Sequence, residues 1–302
     1  MSDCHPETTG DVRALLTSHG LAPNKRFGQN FLIEPPILDR LIRLADLQPD
    51  DLVLEVGTGT GNLTRRLARA TRFVVTVEID RGLHSLAQDL LDHPENVRFV
   101  HGDILDGKSA LNQEVAEKVD TILVDPNVEN LKVVANLPYN ISTPFLSNLL
   151  LRFGSPRRMV LTVQKELAEN LTAEPGSKTY SPLTVLLRHL CDISIDRVLP
   201  GTVFWPRPDV ESAIVVLNSN GEPSEPALRA HALTQYLFSE RRKAIRGLIR
   251  KLPPAMGGPL SSESVDQILE AAEVTGTERA EALEGATFVA LNRAIASCAE
   301  MD

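Results

Sequence analysis

The chain has 302 residues, of which 42% are hydrophobic and 24% are charged. This balance and length are typical of a globular protein with about two domains, and they exclude a wholly disordered or fibrous chain. With 31 basic and 40 acidic side chains the formal net charge is −9, which argues against nucleic-acid binding. No apolar run approaches the roughly 20 residues of a bilayer span, and no secretory signal is visible, so we expect a cytoplasmic protein without membrane contact.

Cysteine and histidine usage favours a reducing compartment and no metal. Cys4, Cys191 and Cys298 are far apart in the sequence and form neither a disulfide framework nor a CxxC pair. The seven histidines are scattered, without an HxxxH or Cys–His grouping, so we predict no metal site. Nothing in the sequence demands more than a monomer.

The predicted elements begin with a loosely ordered lead-in over residues 1–22 and a loop over 24–32, NKRFGQNFL. Apolar residues at helical spacing then predict a helix over 37–46. From about 51 to 165 strands alternate with helices. Strands are predicted at 51–56, 72–80, 96–104 and 157–164, with helices at 62–70, about 82–92, about 143–152 and 165–171. Further apolar runs lie at 120–124 and 132–137, and a late strand lies at 213–217.

This alternation predicts a doubly wound α/β domain, since several strands are apolar on both faces. The composition changes at 219–226, SNGEPSEP, which has the residues of a linker. Beyond it, helical patterns cover about 227–252, 262–273 and 285–297. We therefore expect an α/β domain over 1–218 and a small helical domain over 219–302.

A glycine loop, EVGTGTGNLT, lies between the first predicted strand of the alternating region and the next helix. Gly57 and Gly59 would let the backbone approach a ligand closely. The spacing is GxGxG, unlike the GxGxxG of dinucleotide enzymes, and the loop lacks the Lys-Ser/Thr ending of a phosphate-binding P-loop. Glu78 follows Gly57 by 21 residues, at the end of the next strand, where a carboxylate can accept from two ribose hydroxyls.

Asp103 ends the third strand in HGDI, where it could accept from an adenine amine. Each of these features also occurs without a ligand, as a plain turn or a solvated strand end. Their order and spacing together indicate a nucleoside cofactor. Because the loop carries no Lys or Arg, S-adenosylmethionine fits it better than a phosphorylated dinucleotide.

The string ANLPYN, 135–140, follows an apolar run and offers chemistry suited to an aromatic amine. The Asn136 side-chain oxygen and the Leu137 carbonyl could accept the two amine protons, while Pro138 stiffens the turn and Tyr139 offers a face for stacking. Acceptors placed this way favour a pyramidal nitrogen whose lone pair can attack a methyl sulfonium. A proline-containing turn with a structural Asn is the alternative interpretation.

Several motifs occur in one order across residues 24–250: NKRFGQNFL, the glycine loop, VEID, GDI, ANLPYNISTPF, QKELAENL, FWPRPDVESAIVVL and FSERRKAIR. Together they closely resemble the ribosomal RNA adenine dimethyltransferase family. The resemblance implies a Rossmann-like class I methyltransferase domain with a small C-terminal helical domain, and S-adenosylmethionine as methyl donor. It also implies a substrate, two adjacent adenosines in the 3′-terminal hairpin of small-subunit ribosomal RNA, and hence a role in biogenesis of the small ribosomal subunit.

The resemblance also implies roles for particular residues. Asn30 and Leu32 would contact the methionine end of the donor, and Asn136 would lie between donor and target. Tyr139 and Phe204 would stack on the two faces of a flipped adenine. Two departures are visible: the connection over 125–131 is longer than the family leads us to expect, and Trp205 takes a place often held by a smaller residue.

The net charge of −9 disfavours RNA binding, but the stretch ERRKAIRGLIRK is locally basic and could still bind RNA. Lys243, Arg246 and Arg250 would share one face of a continuous helix. With Arg242 they are the predicted RNA-binding residues. A solvated helix face is the alternative interpretation.

Three other functions compete with this hypothesis. A related adenine methyltransferase could act on large-subunit RNA, and a ribosome-assembly or transcription factor could keep the fold without turnover. A nicotinamide oxidoreductase is disfavoured by the GxGxG spacing and the NLPY turn.

Overall fold

The structure is a computed structural model that describes residues 8–107, 109–221 and 224–299. The chain divides into two compact units. The first comprises Met1–Ala168 and Ser194–Asn218, and the second comprises Glu169–Ile193 and Ser219–Asp302. The chain passes between the units after Ala168, Ile193 and Asn218, so Glu169–Ile193 groups with the helical unit. The division into domains at 218/219 stays a prediction.

The strands, in chain order, are β1 (Phe31–Leu32), β2 (Asp51–Val56), β3 (Phe73–Glu78), β4 (Val97–His101), β5 (Leu105–Asp106), β6 (Ala110–Leu111), β7 (Asn130–Asn136), β8 (Arg158–Gln164), β9 (Cys191–Leu199), β10 (Phe204–Trp205) and β11 (Ser212–Ser219). The α-helices are α1 (Thr9–Ser18), α2 (Pro35–Ala45), α3 (Asn62–Ala70), α4 (Arg81–Leu91), α5 (Gln113–Leu123), α6 (Ser142–Phe153), α7 (Lys165–Leu171), α8 (Pro182–Leu190), α9 (Ser224–Ser239), α10 (Ile245–Ile249), α11 (Ser262–Ala271) and α12 (Gly285–Ala299).

A seven-stranded sheet in the order β4-β3-β2-β7-β8-β11-β9 organises the α/β unit. Neighbours from β4 to β8 run parallel, and β11 pairs antiparallel with β8. The chain leaves β2 towards β3 and β4 and returns as β7 on the other side of β2. In such sheets the point where the strand order reverses opens a crevice at the carboxyl ends of the strands.

Burial explains why these segments form strands. All six residues of β2 and five of the six in β3 are buried, as expected when helices cover both faces of a parallel sheet. Apolar residues of α2 and α3 share one core cluster with Val53, Val74 and Val134 of the sheet. The predicted Rossmann-like α/β fold is therefore confirmed, and the predicted helix at 62–70 coincides with α3.

Two segments of the α/β unit differ from the sequence expectation. Within the lead-in expected over 1–22, residues 1–7 and with them Cys4 lie outside the described residues, but α1 is an ordered helix with a capping box between Thr8 and Asp11. Its Val12 and Leu16 are buried against α4, which supplies the stability that the short helix lacks alone. The apolar run at 120–124 ends α5. Only the run at 132–137 forms a strand.

The helical unit has its own core, in which Tyr180 and Phe288 are among the largest buried side chains. Within it, the continuous helix expected over 227–252 is wrong: α9 ends at Ser239 and α10 begins at Ile245. The backbone N–H of Ile245 donates to the carbonyl of Glu278 at 2.9 Å, and that of Arg246 to the carbonyl of Gly276 at 3.1 Å. These hydrogen bonds to a segment distant in the sequence replace the ones that these N–H groups would make to the preceding turn of a continuous helix. Residues 222–223 of the linker expected at 219–226 lie outside the described residues. The strand β11 ends at Ser219 and α9 begins at Ser224, so both elements extend into the expected linker.

None of the helices in the described ranges is long and apolar enough to cross a membrane. In the same ranges, no group of three or more His, Cys, Asp and Glu side chains is arranged to hold a metal ion. Cys191 and Cys298 are buried free thiols.

A buried ion pair lies at the amino end of the sheet. The ammonium of Lys132 on β7 is 2.6 Å from Oδ2 of Asp51 on β2, and both side chains are almost fully buried. Asp51 also accepts from the backbone N–H of Gln48 at 2.7 Å and from Asn130 Nδ2 at 3.2 Å. The pair thus ties two central strands to the loop that precedes β2.

Replacing Lys132 by Met should lower the free energy of unfolding by about 3–5 kcal/mol, because Asp51 would be left buried without a counter-charge. Urea denaturation measures this loss. The double variant Lys132→Met/Asp51→Asn should recover much of it. Lys118→Met, which breaks the exposed pair with Glu114 on α5, should cost under about 1 kcal/mol. A Lys132 variant no less stable than this control would contradict the assignment.

Candidate active site

A cleft of about 350 Å³ opens at the carboxyl ends of β2, β3 and β7, where the strand order reverses. This volume is within the range of small-molecule sites. Its walls include every cofactor-binding residue predicted from the sequence: Asn30, Leu32, Gly57, Gly59, Glu78, Asp103 and Asn136. The predicted catalytic residues Leu137, Pro138 and Tyr139 also line it. The sheet thus brings together residues that are more than 100 positions apart in the chain.

The glycine loop lines the cleft with its backbone, and all three of its glycines adopt left-handed backbone conformations. Gly57 has φ +84° and Gly59 has φ +57°. A Cβ on Gly57 would lie 3.8 Å from the Asn136 carbonyl oxygen, and one on Gly59 would lie 3.4 Å from the Phe31 ring. A side chain at either position would be strained and would occupy space needed by a ligand. This surface fits a nucleoside that lies against the backbone.

Glu78 is buried beside the loop, with 5% of its surface exposed. One carboxylate oxygen accepts from the Gly59 N–H and the other from the Asp80 N–H, each at 2.9 Å. Burial raises the pKa of Glu78, and these backbone donors oppose that rise. Because a carboxylate oxygen has two lone pairs, each still has capacity to accept from a hydroxyl of a bound ribose.

Asp103 is exposed at the rim of the cleft after β4. Its Oδ1 accepts from the Leu105 N–H at 3.0 Å, and its carbonyl accepts from Asn112 Nδ2 at 2.9 Å. These bonds fix the turn through Oδ1 and the backbone carbonyl, and neither involves Oδ2. The neighbouring Ile79 and Ile104 also line the cleft and provide apolar surface for a flat ring.

Asn136 lies at the end of β7 and its amide is held in one orientation. Its Nδ2 donates to the carbonyl oxygen of Asn30 at 2.9 Å. With the nitrogen committed to that bond, the side-chain oxygen is the acceptor that Asn136 offers to the cleft. The bond also joins the two walls of the cleft, β7 and the loop before β1.

Hydrogen bonds to neighbouring strands and to the start of α6 fix the rest of the NLPY turn. The Leu137 N–H donates to the Thr162 carbonyl of β8 at 3.1 Å, and Ser142 Oγ donates to the Pro138 carbonyl at 3.1 Å. The hydroxyl of half-buried Tyr139 is 2.5 Å from Oγ of fully buried Ser212 on β11. Burial raises the pKa of Tyr139, so it is a neutral phenol. Ser212 therefore holds the Tyr139 ring in place, a contact between residues 73 positions apart that the sequence did not indicate.

Phe204 is not brought into the cleft. It pairs with Leu32 in the small β1–β10 sheet, is 3% exposed and belongs to the core cluster of α2 and α3. Its ring would have to leave this core to stack on a base, and the stacking role stays a prediction. The next residue, Trp205, stacks on Phe31 with ring centroids 6.3 Å apart, and the Arg13 guanidinium lies 5.5 Å from the indole centroid.

The predicted RNA-binding residues do not share one helix face, because the helix is interrupted. Arg242 and Lys243 lie in the turn between α9 and α10, and Lys243 pairs with Glu240 at 3.2 Å. Arg246 on α10 pairs with Asp266, and Arg250 is the residue that ends that helix. Arg242 and Arg250 are exposed. Their binding of RNA stays a prediction.

A buried carboxyl beneath the glycine loop was missed at the sequence level. Oε2 of Glu55 accepts from Thr64 Oγ1 and Thr76 Oγ1, each at 2.7 Å, and Thr76 is 2.7 Å from Thr58 in the loop. Oε1 of Glu55 has no hydrogen-bond partner. The signal was available, since a charged residue inside the otherwise apolar end of β2 is unusual. This network connects β2, β3 and α3 directly below the loop.

Solved structures resemble the fold of this chain. A dimethyladenosine transferase from Plasmodium falciparum superposes with a TM-score of 0.67 at 27% identity, covering 85% of this chain and 94% of that one. The 23S rRNA methyltransferase ErmE superposes with a TM-score of 0.59 at 24% identity, covering 88% of this chain and all of that one, and this likeness concerns the fold. The chain therefore has the Rossmann-like fold of methyltransferases.

Sequence comparison gives the family. The sequence model described as ribosomal RNA adenine dimethylase matches residues 20–290. A protein of Geobacillus kaustophilus named ribosomal RNA small subunit methyltransferase A is 35% identical over 293 residues, 96% of each chain. One of the same name from Ligilactobacillus salivarius is 38% identical over 287 residues, 94% of each. The chain belongs to the ribosomal RNA adenine dimethylase family and is an enzyme of the methyltransferase class.

Glu55 should make stability depend on pH. Burial raises its pKa to about 8 in the folded protein, from an ordinary 4.5. Between these values the unfolded chain ionises while the folded chain keeps its proton, so the free energy of unfolding falls as pH rises and levels off above about 8. Glu55→Gln cannot ionise. It should exceed the wild type in stability by an amount that grows from pH 5 to pH 8, reaching roughly 3–5 kcal/mol.

Urea denaturation from pH 5 to pH 9 measures this difference, with Glu114→Gln, at an exposed position of α5, as the control. A Glu55→Gln difference that is constant over this range would show that Glu55 ionises as readily in the folded protein as in the unfolded chain.

Proposed function

We propose that this enzyme dimethylates the exocyclic amines of two adjacent adenosines in the 3′-terminal hairpin of small-subunit ribosomal RNA, with S-adenosylmethionine as donor. Its physiological role would be in the biogenesis of the small ribosomal subunit, in the cytoplasm. The observation that carries the proposal is the orientation of Asn136, whose Nδ2 is held by the Asn30 carbonyl while its oxygen is offered to the cleft. Family membership and the names of the full-length relatives support the substrate.

The cleft has donors and acceptors suited to the proposed cofactor. Glu78 would accept from the ribose hydroxyls and Asp103 from the adenine amine, while the backbone at Gly57 and Gly59 would lie against the ligand. Asn30 and Leu32, on the opposite wall, would contact the methionine end. Bound S-adenosylmethionine supplies an electrophilic methyl group on a positively charged sulfur.

The target amine needs its lone pair directed at that methyl group. In an adenine the lone pair is delocalised into the ring, which makes the nitrogen a weak nucleophile. Acceptance of its N–H protons by the Asn136 oxygen and the Leu137 carbonyl would hold the nitrogen in a pyramidal geometry. Tyr139, fixed by Ser212, would stack on the base and compensate for stacking lost when the base leaves its helix. Positioning and hydrogen bonding are sufficient for this reaction, without a strong base.

Methyl transfer is the direct test. Purified unmethylated small ribosomal subunits, and large subunits in parallel, would be incubated with the protein and labelled S-adenosylmethionine. Mass spectrometry of the nucleosides should find dimethyladenosine in the small-subunit hairpin. Label confined to large-subunit RNA would overturn the substrate. Donor binding without label on either subunit would overturn the enzymatic proposal in favour of a binding factor.

Asn136→Ala should lower kcat by about 10²–10³-fold, because it removes an acceptor that acts on the reacting nitrogen. Calorimetry should show donor affinity within about threefold of the wild type, since Glu78 and the glycine loop remain. Glu78→Ala provides the contrast and should mainly weaken donor binding. Asn127→Ala, in an exposed turn after α5, is the matched control. Turnover near the wild-type rate in Asn136→Ala would remove this residue from the proposed role.

A further inference from the structure

We propose that Lys25 and Arg26 bind a backbone phosphate of the RNA beside the target adenosine, at the mouth of the cleft. This inference rests on the proposed function, because it concerns how that substrate enters the same site. It assigns an RNA contact beside the cleft to the α/β unit, in addition to the basic residues predicted in the helical unit.

The two residues lie on a short 3-10 helix, Lys25–Phe27, whose shape is fixed by its own hydrogen bonds. Asn24 Oδ1 accepts from the Arg26 N–H at 3.0 Å, and the Asn24 N–H donates to Gln29 Oε1 at 2.7 Å. Gln29 Nε2 in turn donates to Asp80 Oδ2 at 3.2 Å, which anchors the turn to the start of α4. These hydrogen bonds thus hold the backbone that carries the two cations in one conformation without a ligand.

The turn lies against the catalytic strand end. A Cβ on Gly28 would be 3.4 Å from Asn140 Oδ1 and 3.9 Å from Pro138 Cβ. Since Asn140 and Pro138 flank Tyr139, the basic turn is next to the residue proposed to stack on the target base. A nucleotide with its base on Tyr139 would have its phosphates close to this turn.

The charges on the turn are available to a ligand. Lys25 and Arg26 are both exposed, and within the described residues neither forms an ion pair with a carboxylate. Two other cations of this unit are paired, Lys118 with Glu114 and Arg152 with Asp120. Among the residues that line the cleft, Arg26 is the one Lys or Arg. In a chain of net charge −9, uncompensated cations at this point would attract a polyanion.

A phosphate explains both cations better than the carboxylate of the proposed cofactor does. Lys25 does not line the cleft, whereas Arg26 does, so the pair spans the rim from outside to inside. A strand entering the cleft from solvent would cross that rim. An exposed cation gains little from one carboxylate in water, but contacts to a polyanion also release condensed counterions.

The experiment compares Lys25→Ala/Arg26→Ala with Arg43→Ala/Arg98→Ala, which removes two exposed cations of the same unit outside the cleft. Fluorescence anisotropy with a labelled RNA hairpin, from 50 to 300 mM KCl, would give RNA affinity and its salt dependence. Calorimetry would give S-adenosylmethionine affinity. A third variant, Arg26→Lys, keeps the charge on the turn. Thermal denaturation would establish that each variant is folded.

For Lys25→Ala/Arg26→Ala we expect about tenfold weaker RNA binding at 100 mM salt and a log–log salt slope reduced by about one, as for the loss of one phosphate contact. Donor affinity should stay within twofold, and Arg26→Lys should bind RNA close to the wild type. RNA binding and salt slope equal to those of the Arg43/Arg98 control would overturn the inference. So would a loss of donor affinity, which would assign the pair to the cofactor carboxylate. Because RNA binding is measured without turnover, failure of the methyl-transfer assay would be seen separately.

Discussion

One hydrogen bond, from Asn136 Nδ2 to the Asn30 carbonyl, joins the two walls of the cleft. It ties the end of β7 to the loop before β1, and in doing so it decides which end of the Asn136 amide is offered to a substrate. The contacts around it depend on the same geometry. The glycine loop turns beside the Asn136 backbone at Gly57, whose φ of +84° would strain a residue with a side chain. The NLPY turn keeps its course because Thr162 and Ser142 bind its backbone.

The sheet explains how much of this site could be predicted from the sequence. Parallel strands have their carboxyl ends at one edge, so residues that follow apolar runs must meet there. Gly57, Glu78, Asp103 and Asn136 are all of this kind, and all line the cleft. The same argument predicted the strands themselves, because β2 and β3 are apolar on both faces. The local sequence pattern predicted a strand or helix correctly wherever its apolar periodicity agreed with the burial of those residues in the fold.

Predictions failed where long-range contacts decided the structure. The basic stretch after α9 has a helical pattern, but its backbone N–H groups donate to the distant Gly276 and Glu278 carbonyls. The polar lead-in contains α1, whose stability comes from packing on α4. The pairing of Phe204 with Leu32, which the motif did not indicate, places its ring in the core, and its stacking role stays a prediction. In each case the deciding partner was far away in the sequence.

The stacking of Trp205 on Phe31 has a consequence for optical measurements. The chain contains a single tryptophan, so its indole emission reports one environment. Phe31 contacts that indole on one side and lines the cleft on the other, 3.4 Å from where a Cβ of Gly59 would be. A molecule that displaces Phe31 changes the surroundings of the indole. The positive charge of the Arg13 guanidinium near the ring adds an electric field that also affects the emission. The protein thus carries an intrinsic fluorescent probe one ring away from its cleft, without labelling.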